Sequence, residues 1–545
     1  MRRLILPILL VACSDPAPPV DIETLPPPPI HTPRWAFRPW ISKDISSADD
    51  TRAFVSGFEA RKIPVGVVVL DSPWESFYNS FIPSPSRYPA FPGLVAELRA
   101  KDVRTVLWVT QMTNDASFDV EPGGDTYEGP SPNYFSGKSA GYYVNEGESF
   151  FWWKGTGSAV DFSNAAARKW WHEQQKPLLD AGIAGWKLDF GENYITTFPL
   201  RTSAGLQTLQ EYSESYYRDY YTFGANYLGT EEFLTMVRPY DKSYQFEGRF
   251  FARKEHAPTA WVGDNTRDWP GFADALDHLF RSADAGYVVI GSDIGGYLDR
   301  DDQNLTGPVI PFDPKVFARW TAMGALMPFM QLHGRANLTP WTVPERADEI
   351  VRLYRYWSVL HEALVPFFYG LAEEAYAGKS KPIVRPIGEL ASWAGDYRYM
   401  LGDAFFVAPF LDGTGVRDVP LPAGARWHDW WTGAVHEGGT TVTSSMARDL
   451  LQLPLFVREG AIIPTAATST AVAGVPVGPA VLVYPAAGVS ASFVTHDEDG
   501  ATTTLSLDGM SLTMSRVLAR TQVIAGGRAV MTVEASAEPV TVPLE

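Results

Sequence analysis

Between Arg34 and His333 the chain repeats one pattern, a short apolar run followed by a stretch of helical periodicity. Eight runs can be counted: WAFRPWI (35–41), VGVVVLD (65–71), RTVLWVT (104–110), GWKLDF (185–190), GRFFARK (248–254), TAWVGD (259–264), YVVIGSD (287–293) and LMPFMQLH (326–333). Several are apolar on both faces, as parallel strands covered by helices must be. Helical patterns fall at 49–61, 93–101, 164–181, 205–225, 271–282 and 313–324, with Ser163 expected as the N-cap of the third. Eight strand–helix units predict an α/β fold, a (β/α)8 TIM barrel over residues 33–375, better than an open doubly wound sheet. The joint that fits least well is 248–264, where the fifth and sixth strands almost touch with no helix between them.

Polar residues close run after run: Asp71, Asp189, Arg253, Asp264, Asp293 and His333. A parallel barrel builds its site at the C-terminal ends of its strands, so these side chains are expected to converge. Asp189 in GWKLDFGE and Asp264 in WVGDN are two carboxylates, each at the end of a buried strand. Lys187 and Asp189 are two residues apart, so they share the inward face, and the ammonium favours an ionised Asp189. Asp264 follows Trp261, Val262 and Gly263, an apolar setting that raises a carboxyl's pKa. One ionised and one protonated carboxyl are the two groups of paired-carboxylate chemistry on a sugar.

Long insertions follow strands three and four. Residues 111–160, rich in Gly, Tyr and Trp, are expected to arch over the site mouth, and 191–247 carries the helix at 205–225. Past residue 376 short strands with turn signals predict one or two all-β sandwich domains, a proximal one at 376–468 and a distal one at 469–545. Trp427, Trp430 and Trp431 are read there as core aromatics, with a surface sugar site as the other reading.

The N-terminus adds a location. Met1-Arg2-Arg3 and the short apolar run Leu4–Val11 read as a signal peptide (1–12), too short to span a bilayer. LVAC at 10–13 resembles the lipobox of bacterial lipoproteins, which makes Cys13 a lipidation site and places the protein at a bacterial cell envelope. Cys13 is the chain's one cysteine, so once it is lipidated, disulfides, a cysteine nucleophile and thiolate metal sites are excluded. The proline-rich stretch up to residue 32 is expected to be an extended tether reaching roughly 55 Å. A net charge of −18 argues against nucleic acid, and against membrane contact other than through the anchor.

KLDFGE (187–192), WVGDN (261–265), GSDIGG (291–296) and LPLFVREGAIIP (453–464) together resemble the retaining α-glycosidases of glycoside hydrolase family 31. VDFSN (160–164), RWHDWWTG (426–433) and DEDG (497–500) extend the resemblance in family order over residues 35–510. It implies Asp189 as nucleophile and Asp264 as general acid/base. It further implies Asp71, Trp108, Lys187, Arg253, Trp261, Asp293 and His333 around the sugar of the −1 subsite. No cofactor is implied, and no H-x-H or H-E-x-x-H spacing suggests a metal.

Three departures stand out. The large β-sandwich that usually precedes the barrel in this family is not expected here, and the insertion 111–160 is its natural substitute. Gln331 stands where many relatives have arginine, and LDSPWE after strand two lacks the Q-D-W pattern of sulfoquinovosidases, which argues against a sulfonated sugar. The expectation is an exo-acting retaining α-glycosidase on an oligosaccharide or glycoside, α-glucoside or α-xyloside first, with α-galactoside and transglycosylation open. A non-catalytic glycan-binding lipoprotein is the alternative of another class. Oligomeric state is left open.

Overall fold

The computed structural model describes residues 21–245, 247–300, 307–468 and 470–545. Eight parallel strands close into a barrel: β1 (Trp40–Lys43), β2 (Val67–Leu70), β3 (Arg104–Val109), β4 (Gly185–Leu188), β5 (Leu234–Val237), β6 (Thr259–Val262), β7 (Ile290–Ile294) and β8 (Gln331–Leu332). Each pairs with the next in sequence, and Trp40 opposite Gln331 closes the ring. Their residues are almost entirely buried, which is why they read as apolar runs rather than alternating ones.

Helices α1 (Ala48–Ala60), α2 (Phe91–Ala100), α3 (Ala165–Asp180), α4 (Leu209–Leu228), α5 (Trp269–Asp284), α6 (Pro314–Ala325), α7 (Ala347–Ala363) and α8 (Val365–Tyr376) pack outside. Outward from β4, Trp186 meets the edges of Phe81 and Tyr220, the latter on α4. Starts are set locally. Thr208 and Glu211 form a capping box on α4, while Asn164, one residue past the expected Ser163, caps α3 by accepting from the N–H groups of Ala166 and Ala167.

The fifth strand is not where the sequence placed it. Of GRFFARK only Arg249–Phe250 is extended, in a two-residue pairing with Tyr240–Asp241 outside the barrel. The true β5, LTMV, lies upstream, one short turn after α4, inside what the sequence reading took for an insertion. Phe250 and Phe251 instead face their own surroundings: Phe250 stacks on Tyr287, and Phe251 carries the Arg249 guanidinium 3.9 Å from its ring. The first run is also shifted, since Arg34–Phe37 form a 3-10 turn and extension begins at Trp40.

The expected free tether is corrected over its described part. Residues 21–33 lie along the barrel: Tyr221 donates to Pro29 O, Asn226 to Pro26 O and Thr32 to Pro258 O. Two histidines fasten this strap, His172 between Glu23 and Asp219, and His31 between Glu231 and Glu373. The signal peptide, Cys13 and the first half of the tether lie outside the described residues. Among those residues no helix is long and apolar enough to cross a membrane.

After α8 the chain is β-structure. A six-stranded sheet runs from Val384 to Arg458, and two four-stranded sheets occupy Ile462 to Pro543. Trp427 is buried in a small apolar cluster with Phe406 and Phe456. Trp430 donates to Tyr356 on α7 and Trp431 packs against Tyr356 and Trp357 of the same helix, so these tryptophans tie the sheet to the barrel.

Candidate active site

Eight expected side chains and several unexpected ones converge at the C-terminal ends of the strands. An inner cavity is lined by Asp71, Trp108, Lys187, Asp189, Trp261, Asp264, Asp293 and His333. Ser72, Arg238, Tyr297 and three residues of the 111–160 insertion complete its wall. An outer cavity shares Asp189, Asp264, Glu121, Trp153 and Tyr297 with it and adds Phe190, Tyr194 and Tyr244.

Arg253 is not among them. It sits on an exposed loop, 62% accessible, with Glu214 as its partner at 3.6 Å. Arg238, immediately after β5, stands in the site instead and is 2% exposed. Its Nε donates to Asp189 Oδ1 at 3.0 Å and its Nη1 to Asp241 Oδ2 at 2.6 Å, while its Nη2 lies 2.9 Å from Asp189 Oδ1 as an ion pair. The same Nη2 donates to Asp264 Oδ2. One nitrogen paired with an oxygen of each carboxylate holds those oxygens within about 5.5 Å of one another. The guanidinium is sandwiched between Phe190, 3.8 Å from the ring centre, and Trp261, 4.7 Å away.

The two carboxyls have different surroundings. Asp189 follows β4 with its N–H on Val109 O, and accepts from Trp108 Nε1 at 3.0 Å and from the N–H of Phe190 at 2.9 Å. Burial alone would raise its pKa, but Arg238, Lys187 and these donors outweigh burial and hold it below the usual carboxylate range. Asp264 is pushed up to about 7, first by burial and then by Asp189, Asp241 and Asp293, with Arg238 opposing. Its backbone is left-handed (φ 57°), a conformation unusual outside glycine, and this turns its carboxyl back into the cavity as the chain leaves β6. The preceding glycine is forced by crowding. A Cβ on Gly263 would lie 2.5 Å from Trp261 Nε1 and 3.0 Å from Asp293 Oδ2.

On the other side of the cavity is a charged cluster. Lys187 Nζ donates to Asp71 Oδ2 at 2.6 Å and lies 3.4 Å from His333 Nδ1, while His333 Nε2 meets Asp44 Oδ1 at 2.8 Å. Burial and Lys187 oppose a charge on His333, yet Asp44 and Asp293 carry its pKa to about 10. Gln331 donates to Asp293 Oδ1 at 2.6 Å and so fixes it. Asp44, Asp71 and His333 offer ligand atoms within 4.8 Å of one another. That donor set suits a cation poorly, because the Lys187 ammonium already occupies Asp71 and His333 is itself charged. Ser72 Oγ is buried with no hydrogen-bond partner among the described residues.

Sequence reasoning missed Asp44, Ser72, Arg238, Tyr297 and the insertion's Glu121, Trp153 and Lys154. Asp44 and Arg238 had a signal, since each closely follows a short apolar run, as the chosen residues do.

A family profile described as the Glycosyl hydrolases family 31 TIM-barrel domain matches residues 29–371, and the Glycosyl hydrolase family 31 C-terminal domain matches 381–463. Alpha-glucosidase 2 of Bacillus thermoamyloliquefaciens is 26% identical over 490 residues, 86% of this chain and 58% of that protein. An alpha-xylosidase of Emericella nidulans is 25% identical, over 80% of this chain and 54% of that one. The chain thus spans somewhat over half the length of these relatives. Among solved structures, the cycloalternan-forming enzyme of Listeria monocytogenes superposes with a TM-score of 0.77 at 20% identity, covering 95% of this chain and 55% of that one. With the barrel and the C-terminal domain both matched, the chain belongs to glycosyl hydrolase family 31.

Proposed function

We propose that this protein is an exo-acting retaining α-glycosidase that works by double displacement. The observation that carries the reading is the guanidinium of Arg238, shared between a carboxylate held ionised and a carboxyl held near neutrality. Asp189 attacks the anomeric carbon while Asp264 protonates the departing glycosidic oxygen. The glycosidic bond breaks and a glycosyl–Asp189 ester forms. Asp264, now a carboxylate, takes a proton from water, and the water oxygen displaces Asp189. Separated pKa values for the two carboxyls are what this division of labour requires.

Arg238 suits both halves. In the free enzyme its charge answers Asp189; in the ester Asp189 is neutral and the same charge answers Asp264. Losing the Asp189 charge also removes a repulsion that keeps Asp264 protonated, which favours its change from acid to base.

The inner cavity is lined by the buried Asp71–Lys187–His333 cluster, a set of charged groups that suits the hydroxyls of a terminal sugar. Lys154, Lys187 and Arg238 are each already paired with carboxylates, which argues against an anionic sugar and for a neutral one, an α-glucoside or α-xyloside. The relatives named above as an alpha-glucosidase and an alpha-xylosidase point the same way. Aromatic rings around the outer cavity suit a leaving-group sugar and equally an acceptor, so transglycosylation is the second reading. For location, we propose lipidation at Cys13.

A panel of aryl α-glucoside, α-xyloside and α-galactoside, with the first-formed anomer followed by NMR, tests the reading. Retention is expected, with turnover abolished in Asp189→Ala and Asp264→Ala. Inversion, or a near-wild-type rate in either variant, would overturn it.

A further inference from the structure

The insertion at 111–160 brings its own polar device into the site. Its strands Met112–Phe118 and Gly155–Ala159 pair antiparallel at the centre of a four-stranded sheet. From this platform the N–H of Phe118 reaches Lys154 O, that of Val120 reaches Trp153 O, and that of Glu121 reaches its neighbour Asp119 Oδ1 at 2.8 Å. Trp153 packs edge-on against Trp108. Glu121 and Trp153 are thereby fixed relative to β3 and face the cavities.

Lys154, 1% exposed, donates to Asp119 Oδ2 at 2.7 Å and to Glu121 Oε2. Glu121 Oε1 lies 3.4 Å from the hydroxyl of Tyr297, which donates in turn to Asp44 Oδ2 at 2.9 Å. A carboxylate can accept about four hydrogen bonds; Lys154 takes one, and Tyr297 spends its single hydroxyl proton on the nearer Asp44, which leaves Glu121 Oε1 open to a further donor. The group retains 14% accessibility and lines both the inner and the outer cavity.

Resting on the glycosidase reading above, we propose that Glu121 is a specificity-determining residue. It accepts a hydrogen bond from one hydroxyl of the sugar where the inner cavity opens into the outer one. The backbone N–H of Glu121 on Asp119 and its side chain on Lys154 hold the carboxylate in place, so an acceptor is ready before the sugar arrives. A sugar lacking that hydroxyl leaves a buried carboxylate oxygen without a donor, and the site rejects it for that reason.

The test pairs Glu121→Gln with monodeoxy analogues of the best wild-type substrate. The analogues are measured both as aryl glycosides (kcat/KM) and as free sugars by calorimetry. The second readout does not depend on hydrolysis, so failure of the glycosidase reading would show separately, as absent turnover on the parent substrate. In Glu121→Gln the amide oxygen stays with Lys154 and the amide N–H2 faces the cavity, so the acceptor is lost while the Asp119–Lys154 pair remains. One deoxy analogue should cost the wild type about ten- to a hundredfold. That single penalty should collapse toward unity in the variant, with the others unchanged. Glu121→Asp, which keeps the charge and shortens the reach, should reduce the same penalty and serves if the Gln variant does not fold. Unaltered penalties for every analogue in a folded variant would overturn the proposal.

Discussion

Arg238→Gln is the substitution that most directly probes how the site divides its charge. The guanidinium serves Asp189, Asp241 and Asp264 at once and is buried between two rings. A unit charge about 3 Å from a carboxylate is worth roughly 5 to 6 kcal/mol at an effective dielectric constant of 20. Most of that is offset when the orphaned carboxylates protonate instead of remaining charged. If about 3 kcal/mol is lost from the ionised form of Asp189, its titration moves up by about two pH units. Asp264, already at about 7, also moves up, because Arg238 is the group opposing its protonation. The kcat/KM profile of the variant should therefore shift to alkaline pH on both limbs, with a peak about a hundredfold or more lower. Stability should fall by up to about 3 to 5 kcal/mol, the usual result of removing one partner from a buried ion pair. Arg238→Lys keeps the charge but not the fork, so it should restore the limbs more than the peak. Kinetics from pH 3 to 9 beside thermal melting separate these effects. A folded Arg238→Gln enzyme with lower activity and unmoved limbs would show that Arg238 only positions its neighbours, and would refute the charge argument.

Two further outcomes follow from the same groups and from the strap. The wild-type kcat/KM should fall as pH rises through about 7, where Asp264 gives up the proton that acid catalysis needs. It should fall on the acid side only below the ordinary carboxylate range, because Asp189 is held low; a glycoside whose leaving group needs no protonation should lose the upper limb in pH–rate assays. His172 is raised from 6.5 to about 9, with burial opposing and Asp219 and Glu23 prevailing. A raised pKa gives stability that is complete below about 6.5 and lost as pH climbs through about 9. Melting curves at pH 6 and 10 should thus differ by up to ~3 kcal/mol more in the wild type than in His172→Gln.

Seven of the eight strands were legible because a parallel strand covered on both sides must be apolar throughout, and five of the seven named a site residue by the polar group at or just beyond the end: Asp71, Asp189, Asp264, Asp293 and His333. The contributions of Glu121, Trp153 and Tyr297 were not legible in that way, since they reach the cavity from loops whose positions depend on long-range pairing and follow no period. Arg253 is a different kind of miss: the rule was sound and the strand was wrong. GRFFARK attracted the assignment by its two phenylalanines, while LTMV is only four residues long and runs straight into Arg238-Pro239. Barrel closure already held the correction. Neighbouring parallel strands need a crossover of a dozen or more residues, and only 255–258 separate GRFFARK from TAWVGD. Rejecting 248–254 on that ground sends the search upstream to the next apolar run, Leu234–Val237, which leaves 238–258 for the crossover. The polar residue closing that run is Arg238, the group that joins Asp189 to Asp264. The length of a connection, rather than the hydrophobicity of a segment, was the information that located the centre of this site.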